Sequence, residues 1–261
     1  MRLTNLVEGR LLRRYKRFLA DVELACGTEV LVHCPNPGSM LGVCQPGSRI
    51  FMARAREGRK LAYSWQFIET EGSMVMVDTM LANKLFAEAF AAGRLDELSK
   101  YNLARPEYKY QDSRFDFYLE GKGAKALLEV KSTTLLCGRD FRAKSDFVLA
   151  PRDRQDSVAY FPDARTERGL KHLKTLSEAR VSGQFDETVQ YYIVSRQDAS
   201  LFRPCQAIDP AYAEGLRQAA RSRVLVFARK LSFALERDKS GDFAIEVELA
   251  DRVPVDLDPQ N

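Results

Sequence analysis

Read for its hydrophobic and polar positions, the chain changes character near Asp78. Before that point apolar residues come in short runs, "RRYKRFLADVEL", "EVLVHC", "SRIFMARA", "AYSWQFIE" and "SMVMVDT", with Ala-Cys-Gly, Pro-Asn-Pro-Gly-Ser and Gln-Pro-Gly-Ser between them. Repeated short strands separated by Gly/Pro turns predict a small all-β barrel or sandwich. The period then becomes helical. In "DTMLANKLFAEAFAAG", Leu81, Leu85 and Ala89 share one stripe with Met80, Phe86 and Phe90 beside it; Asp78 or Thr79 can cap the start and Gly93 can end it.

Further on, "SRFDFYLEGKGAKALLEVKSTTLL" predicts two strands around a Gly-Lys-Gly turn, and the polar stretch from Cys137 to Val158 predicts a long loop. A second helix is predicted from Asp163, because Leu170, Leu173, Leu176 and Ala179 recur every three residues and Gly183 lies just beyond; Arg168, Lys171 and Lys174 make its other face basic. "TVQYYIVS" reads as a buried strand and "DPAYAEGLRQAARS" as a helix capped by Asp209 with Pro210 in its first turn. "VLVFARKLSF" reads as another strand and "FAIEVELA" as an edge strand. An α/β layer therefore follows the β-rich part.

Composition narrows the class. With 45% hydrophobic and 29% charged residues, and no apolar run near the roughly 20 residues of a membrane-spanning helix, the chain reads as soluble and non-membrane. Its start, "MRLTNLVEGRLLRRYKRF", lacks a secretory signal pattern, so a cytoplasmic location is expected. Five scattered cysteines without CxxC spacing suggest buried thiols rather than a zinc site or disulfides, and two histidines leave carboxylates as the ligands of any metal. The net charge of +4 is unevenly spread: residues 1–20 carry six bases against one acid, and residues 234–261 carry eight acids against three bases. Such polarity favours a localised anion-binding face. Arg13, Arg14, Lys16 and Arg17 interleave with Tyr15 and Phe18, the mixture that suits phosphate neutralisation and base stacking; a solvated strand with its aromatics in the barrel is the alternative.

The hairpin carries the chemistry. Alternation puts Leu127, Glu129 and Lys131 on one face, and a tight turn brings Asp116 nearly opposite Glu129. Two carboxylates so placed repel unless a cation lies between them, and Mg²⁺ (or Mn²⁺) would take Asp116, Glu129 and the Val130 carbonyl as ligands. Lys131 beside it could acidify a bound water or support charge on a phosphate, a set of parts suited to phosphodiester hydrolysis. Spacing alone does not decide this. An acid two residues before a lysine occurs three times, at Glu107, Glu120 and Glu129, which is no more than chance supplies, and an exposed Glu-Lys pair is the competing reading. His172 likewise stands as a general base, a phosphate contact or a hydrogen-bonded core histidine.

Four stretches in order, "RYKRFLADV", "HCPNPGSM", "RFDFYLE…LLEVKSTTL" and "YFPDARTERGLKHL", resemble the sugar fermentation stimulation protein family between about Arg14 and Arg229. The resemblance implies an α/β protein with an N-terminal OB-fold barrel (residues 1–80) and a restriction-endonuclease-like domain of the PD-(D/E)XK type (residues 81–261). It also implies non-specific DNA binding, with a regulatory role in maltose metabolism. Carried over residue by residue, it makes Asp116 the central acid, Glu129 and Lys131 the acid-x-lysine pair, and Glu88 a helix carboxylate, with Glu107 as a second candidate. It places Thr166, Glu167, Arg168, Lys171 and His172 along the same cleft. Residues 137–158 are extra relative to shorter members and would cover the cleft or contact DNA. Two functions stay open: a Mg-dependent DNA nuclease, and a non-catalytic DNA-binding regulator that keeps a nuclease fold. The oligomeric state is open too, a homodimer included.

Overall fold

The computed structural model describes residues 1–70, 72–139, 141, 157–239 and 241–258. Five strands close the first part into a ring: β1 (Arg2–Tyr15), β2 (Leu19–Leu24), β3 (Glu29–His33), β4 (Arg49–Arg54) and β5 (Tyr63–Thr70). The pairing order is β1-β2-β3-β5-β4-β1, antiparallel except at β3–β5, which is the strand order of an OB fold. Leu11, Val22, Val32, Ile50, Met52 and Trp65 fill it. The run "RRYKRFLADVEL" is not one strand. A turn at Lys16 and Arg17, both at positive φ (48° and 62°), splits it, and alternation alone hid the break because no Gly or Pro marks it.

The second part begins after β6 (Ser73–Met76) with α1 (Met80–Ala91), followed by β7 (Leu103–Tyr110), β8 (Ser113–Gly121) and β9 (Ala124–Thr133). Next come the short β10 (Leu135–Cys137) and β11 (Val158–Phe161), then α2 (Glu167–Val181), β12 (Glu187–Val194), β13 (Leu201–Pro204), α3 (Pro210–Arg221), β14 (Leu225–Arg237) and β15 (Phe243–Arg252). The main sheet runs β7-β8-β9-β12-β14-β15; β9, β12 and β14 are parallel, and the outer pairings are antiparallel. Phe86 and its neighbours on α1 pack on one face, and Leu173, Leu176, Tyr212 and Leu216 from α2 and α3 pack on the other.

Two expectations change here. β15 is not an edge strand but pairs with β14 on one side and β1 on the other, at Arg2↔Glu246, Leu3↔Ile245 and Leu6↔Phe243. One sheet therefore runs through both parts. The expected long loop also has paired ends: Cys137 faces Val158 in the β10–β11 ladder, while most of the stretch lies outside the described residues. All five cysteines are free, with Cys34, Cys137 and Cys205 buried. No helix among the described residues is long and apolar enough to cross a membrane.

The β8–β9 turn consists of Lys122 and Gly123, both at positive φ (49° and 76°), the two-residue geometry that matches the twist of paired strands. Just before it, Gly121 lies under the crossing chain: a Cβ there would meet the Lys100 carbonyl oxygen at 2.6 Å and Tyr101 Cα at 2.7 Å. Backbone cannot yield as a side chain can. Gly121→Ala is therefore expected to cost about 2–3 kcal/mol, lowering the melting temperature by some 5–10 °C in a thermal melt followed by circular dichroism; an unchanged melt would refute this packing.

Candidate functional site: a carboxylate pair where two strands part

The β8–β9 ladder runs regularly from Gly121↔Ala124 to Phe117↔Leu128 and then stops. One step further, where Asp116 and Glu129 would face each other, the strands diverge and the Asp116 carboxylate takes over the ladder's role. Its Oδ2 accepts from the Val130 backbone N–H at 2.8 Å, and its Oδ1 accepts from Asn83 Nδ2 of α1 at 2.7 Å. Within one strand residue the N–H and C=O point to the same side, so the Val130 carbonyl faces this gap as well.

Glu129 is only 3% exposed. Its Oε1 receives Lys131 Nζ and lies 2.5 Å from His172 Nδ1 on α2, while its Oε2 is buried with no hydrogen-bond partner. On the neighbouring strand β12, Gln190 stands in register with Glu129 and donates from Nε2 to the Glu129 carbonyl at 3.3 Å; its Oε1 is also buried and unpartnered. Buried oxygens seldom go without a donor or cation.

The two acids answer burial differently. Desolvation, with the Glu129 charge adding to it, pushes Asp116 up to about 6. Desolvation acts on Glu129 too, but the His172 hydrogen bond and the Lys131 charge outweigh it and hold that carboxylate below its usual range. At neutral pH one acid is firmly ionised and the other reluctantly so.

Local sequence positions each group. Thr166 caps α2 by accepting from the Gly169 N–H at 3.1 Å, and its own N–H donates to Asp209 Oδ2 at 2.8 Å. Asp209 also caps α3 through the Tyr212 N–H at 3.0 Å. Both helix starts are thus tied together, and the buried stripe of α2 directs His172 at the sheet, where it rests against Phe115 at 5.2 Å between ring centroids.

The structure brings Asp116, Glu129, Lys131, Val130 and His172 together and leaves the other candidates outside. Glu88 is exposed and lies 3.1 Å from the Met1 amino group; the α1 side chain that reaches Asp116 is Asn83, one turn earlier on a different face. Glu107 pairs with Arg114 at the surface and does not touch the acids, though it borders the same hollow as Asp116. His172, nearly sealed behind Glu129, orients a carboxylate and does not meet solvent as a general base would. Lys171 bonds Asp112 at 2.7 Å, and Arg168 is exposed on the helix's outer face. In the N-terminal stretch Arg13 is neutralised by Asp21 at 2.6 Å, and Arg14 donates to the carbonyls of Asn36, Gly38 and Ser39. Lys16 and Arg17 stay exposed at the β1–β2 turn without an ion pair among the described residues. Sequence reading missed Asn83 and Gln190. The one available signal for Gln190 was an amide inside the apolar run "TVQYYIVS".

Fold and site together define a class: an OB-type barrel joined through one sheet to an α/β unit that carries a buried carboxylate pair beside a lysine. The chain belongs to the sugar fermentation stimulation protein family. Residues 12–77 match the SfsA N-terminal OB domain, and residues 80–237 match the sugar fermentation stimulation protein RE domain. A sugar fermentation stimulation protein homolog from Geobacter sulfurreducens is 40% identical over 252 residues, 96% of each chain. Another from Pseudomonas putida is 42% identical over 228 residues, 86% of this chain and 89% of its own. The structure of Pyrococcus furiosus SfsA in complex with Ca²⁺ aligns with a TM-score of 0.77 at 24% identity, covering 98% of both chains.

The raised Asp116 value has a consequence for stability. The folded chain keeps this proton to higher pH than the unfolded chain does, so stability falls as pH rises from about 4 to 6 and the full penalty stands above 6. Asp116→Asn removes the penalty, and an amide can still accept from Val130 and meet a flipped Asn83. In EDTA at pH 7.5 the variant should be about 1–3 kcal/mol more stable than the parent. The difference should fade towards pH 4 in melts across this range; a variant that is less stable by the same margin at every pH would contradict the assignment.

Proposed function

We propose that this protein binds DNA and hydrolyses its phosphodiester backbone with Mg²⁺ or Mn²⁺. The observation that carries the reading is Glu129 Oε2, buried and without a donor, beside Asp116 where β8 and β9 part. The donor set fits an oxygen-seeking divalent ion: two carboxylates, the Val130 carbonyl and the bare Gln190 Oε1 are all hard oxygen ligands. Among the described residues no group of three or more His, Cys, Asp or Glu side chains is arranged to hold a metal ion by itself, so such an ion would rest on this mixed set and on water. The order β7-β8-β9-β12, with α1 ahead of it and α2 before its parallel fourth strand, supports a restriction-endonuclease-like core. The Ca²⁺ complex of the Pyrococcus furiosus protein supports divalent binding.

When bound, a divalent ion supplies Lewis-acid polarisation of a phosphoryl oxygen and an acidified water. The chain's own groups do the rest. His172 fixes the Glu129 carboxylate and keeps it ionised, and Asn83 with the Val130 N–H aims Asp116 into the gap. Lys131, the most exposed member of the Glu129 cluster at 20%, can leave Glu129 for a phosphate oxygen and offset charge that grows as the bond breaks. Asp116 must lose its proton before an ion binds tightly, so divalent affinity should rise as pH increases through about 6.

Incubation of purified protein with single-stranded, duplex and branched DNA in Mg²⁺ or Mn²⁺ tests this reading. Cleavage is expected, with losses of about 100-fold or more in Asp116→Asn, Glu129→Gln and Lys131→Ala while DNA binding persists. Binding that weakens with salt, as counterion release requires, but with no cut on any substrate would favour the non-catalytic regulator, a reading served by the self-neutralised Glu129–Lys131 pair. Absence of both binding and cutting would end both readings.

A further inference from the structure

A cavity of about 670 Å³ lies where the barrel meets the α/β unit. The barrel lends it Tyr15 and Arg17, and the other side lends Ser132, Phe161, Arg165 and Thr166. Ser132 directly follows Lys131 in β9. Thr79, which precedes α1, also lines the cavity; one turn along that helix, Asn83 holds Asp116 and borders a second cavity of about 490 Å³ beside Lys84 and Phe90. Asp116 itself lines that second hollow, and Ser132, next to Lys131, lines the first, so the two hollows flank the stretch that carries the acids.

The larger hollow favours an anion. Arg17 and Arg165 are exposed and form no ion pair among the described residues, and the amino end of α2 opens on it at Thr166, where the helix dipole is positive. The one acid of its lining, Asp163, is occupied: its Oδ2 accepts from the Met40 N–H at 2.8 Å. Tyr15 and Phe161 are half-buried and offer ring surface to a planar group. Shape narrows the ligand further. Ligand pockets for small molecules span about 300–1,000 Å³, so the hollow suits one or two nucleotides. A double helix, whose major groove alone is about 12 Å wide, is too broad to enter a hollow of this size.

We propose that this cavity seats a single-stranded stretch of DNA, one or two nucleotides long, with phosphates on Arg17 and Arg165 and bases against Tyr15 and Phe161. It leads the strand along α1 to Glu129 and Asp116. This rests on the DNA reading above and adds the strandedness of the substrate and the path it takes. Bases stack on aromatic rings without regard to sequence, so binding there is sequence-tolerant.

Fluorescence anisotropy in EDTA, with labelled oligothymidylate competed by a duplex of equal length, tests the proposal apart from any chemistry. The single strand should bind about tenfold more tightly than the duplex. Arg17→Ala with Arg165→Ala should weaken it about tenfold, while Arg221→Ala, at the carboxyl end of α3 and outside the cavity lining, should change nothing. Both cavity arginines are exposed, so melting curves should match the parent. Equal affinity for duplex, or an unaffected double variant, overturns the proposal. Cleavage in Mn²⁺ that the double variant retains would leave hydrolysis standing and remove the cavity from it. Single-strand binding that needs both arginines, with no cleavage of any DNA, would keep the cavity and remove hydrolysis.

Discussion

A carboxylate sealed inside a sheet must be compensated, and most of the α/β unit is arranged around that requirement at Glu129. Leaving such a charge unpaired in the interior costs several kcal/mol, so a histidine from α2, a lysine from its own strand and an amide from β12 converge on it. For His172 to arrive there, α2 must start at a fixed height, which the Thr166 and Asp209 caps enforce. For Gln190 to arrive, β12 must pair with β9 in parallel at one register. The charge thus specifies helix position and strand register together. Compensation by the protein is incomplete, because Glu129 Oε2 and Gln190 Oε1 find no donor among the described side chains.

Asp116 adds the second half of the tension. Were β8 and β9 to stay paired past Phe117, Val130 would bond to backbone and the acid would point elsewhere. Their divergence lets the carboxylate accept the Val130 N–H and brings it close enough to Glu129 for each charge to disfavour the other. One proton relieves the repulsion below about pH 6, and above it the gap holds two negative charges side by side. The same stretch therefore trades stability for a place where positive charge is welcome.

Sequence made part of this visible. Period-2 alternation and the Lys122-Gly123 turn set the hairpin register, and with it the nearness of Asp116 to Glu129, because those cues are local. The helix of residues 210–221 was equally local in its Asp-Pro start. What escaped depends on partners distant in sequence. Nothing within "FAIEVELA" says that β1 will cover its free edge, since that pairing joins residue 3 to residue 245. A charged residue on a helix also attracts attention that an amide does not: Glu88 looked like the helix carboxylate, whereas Asn83 sits at the acid because α1 turns that face towards β8. By type His172 reads equally as a base, a phosphate contact or a core histidine, and only the fold shows it buried against Glu129.

The joint between the two parts is as constrained as the site. β1 belongs to the barrel at one end and to the long sheet at the other, so the barrel cannot swing without breaking the β1–β15 ladder. A second tie lies at the cavity itself, where Ser39 Oγ donates to the Asp163 carbonyl at 2.6 Å and the Met40 N–H meets the Asp163 carboxylate. That approach needs a glycine at position 38, since a Cβ there would lie 2.6 Å from Asp163 Oδ1. Arg14 stiffens the same loop through three carbonyls, which is why the most basic stretch of the chain spends one of its arginines on structure. With both walls fixed, the cavity exists before any ligand enters, and the ordering cost that a hinged cleft would impose on binding is already met by the fold.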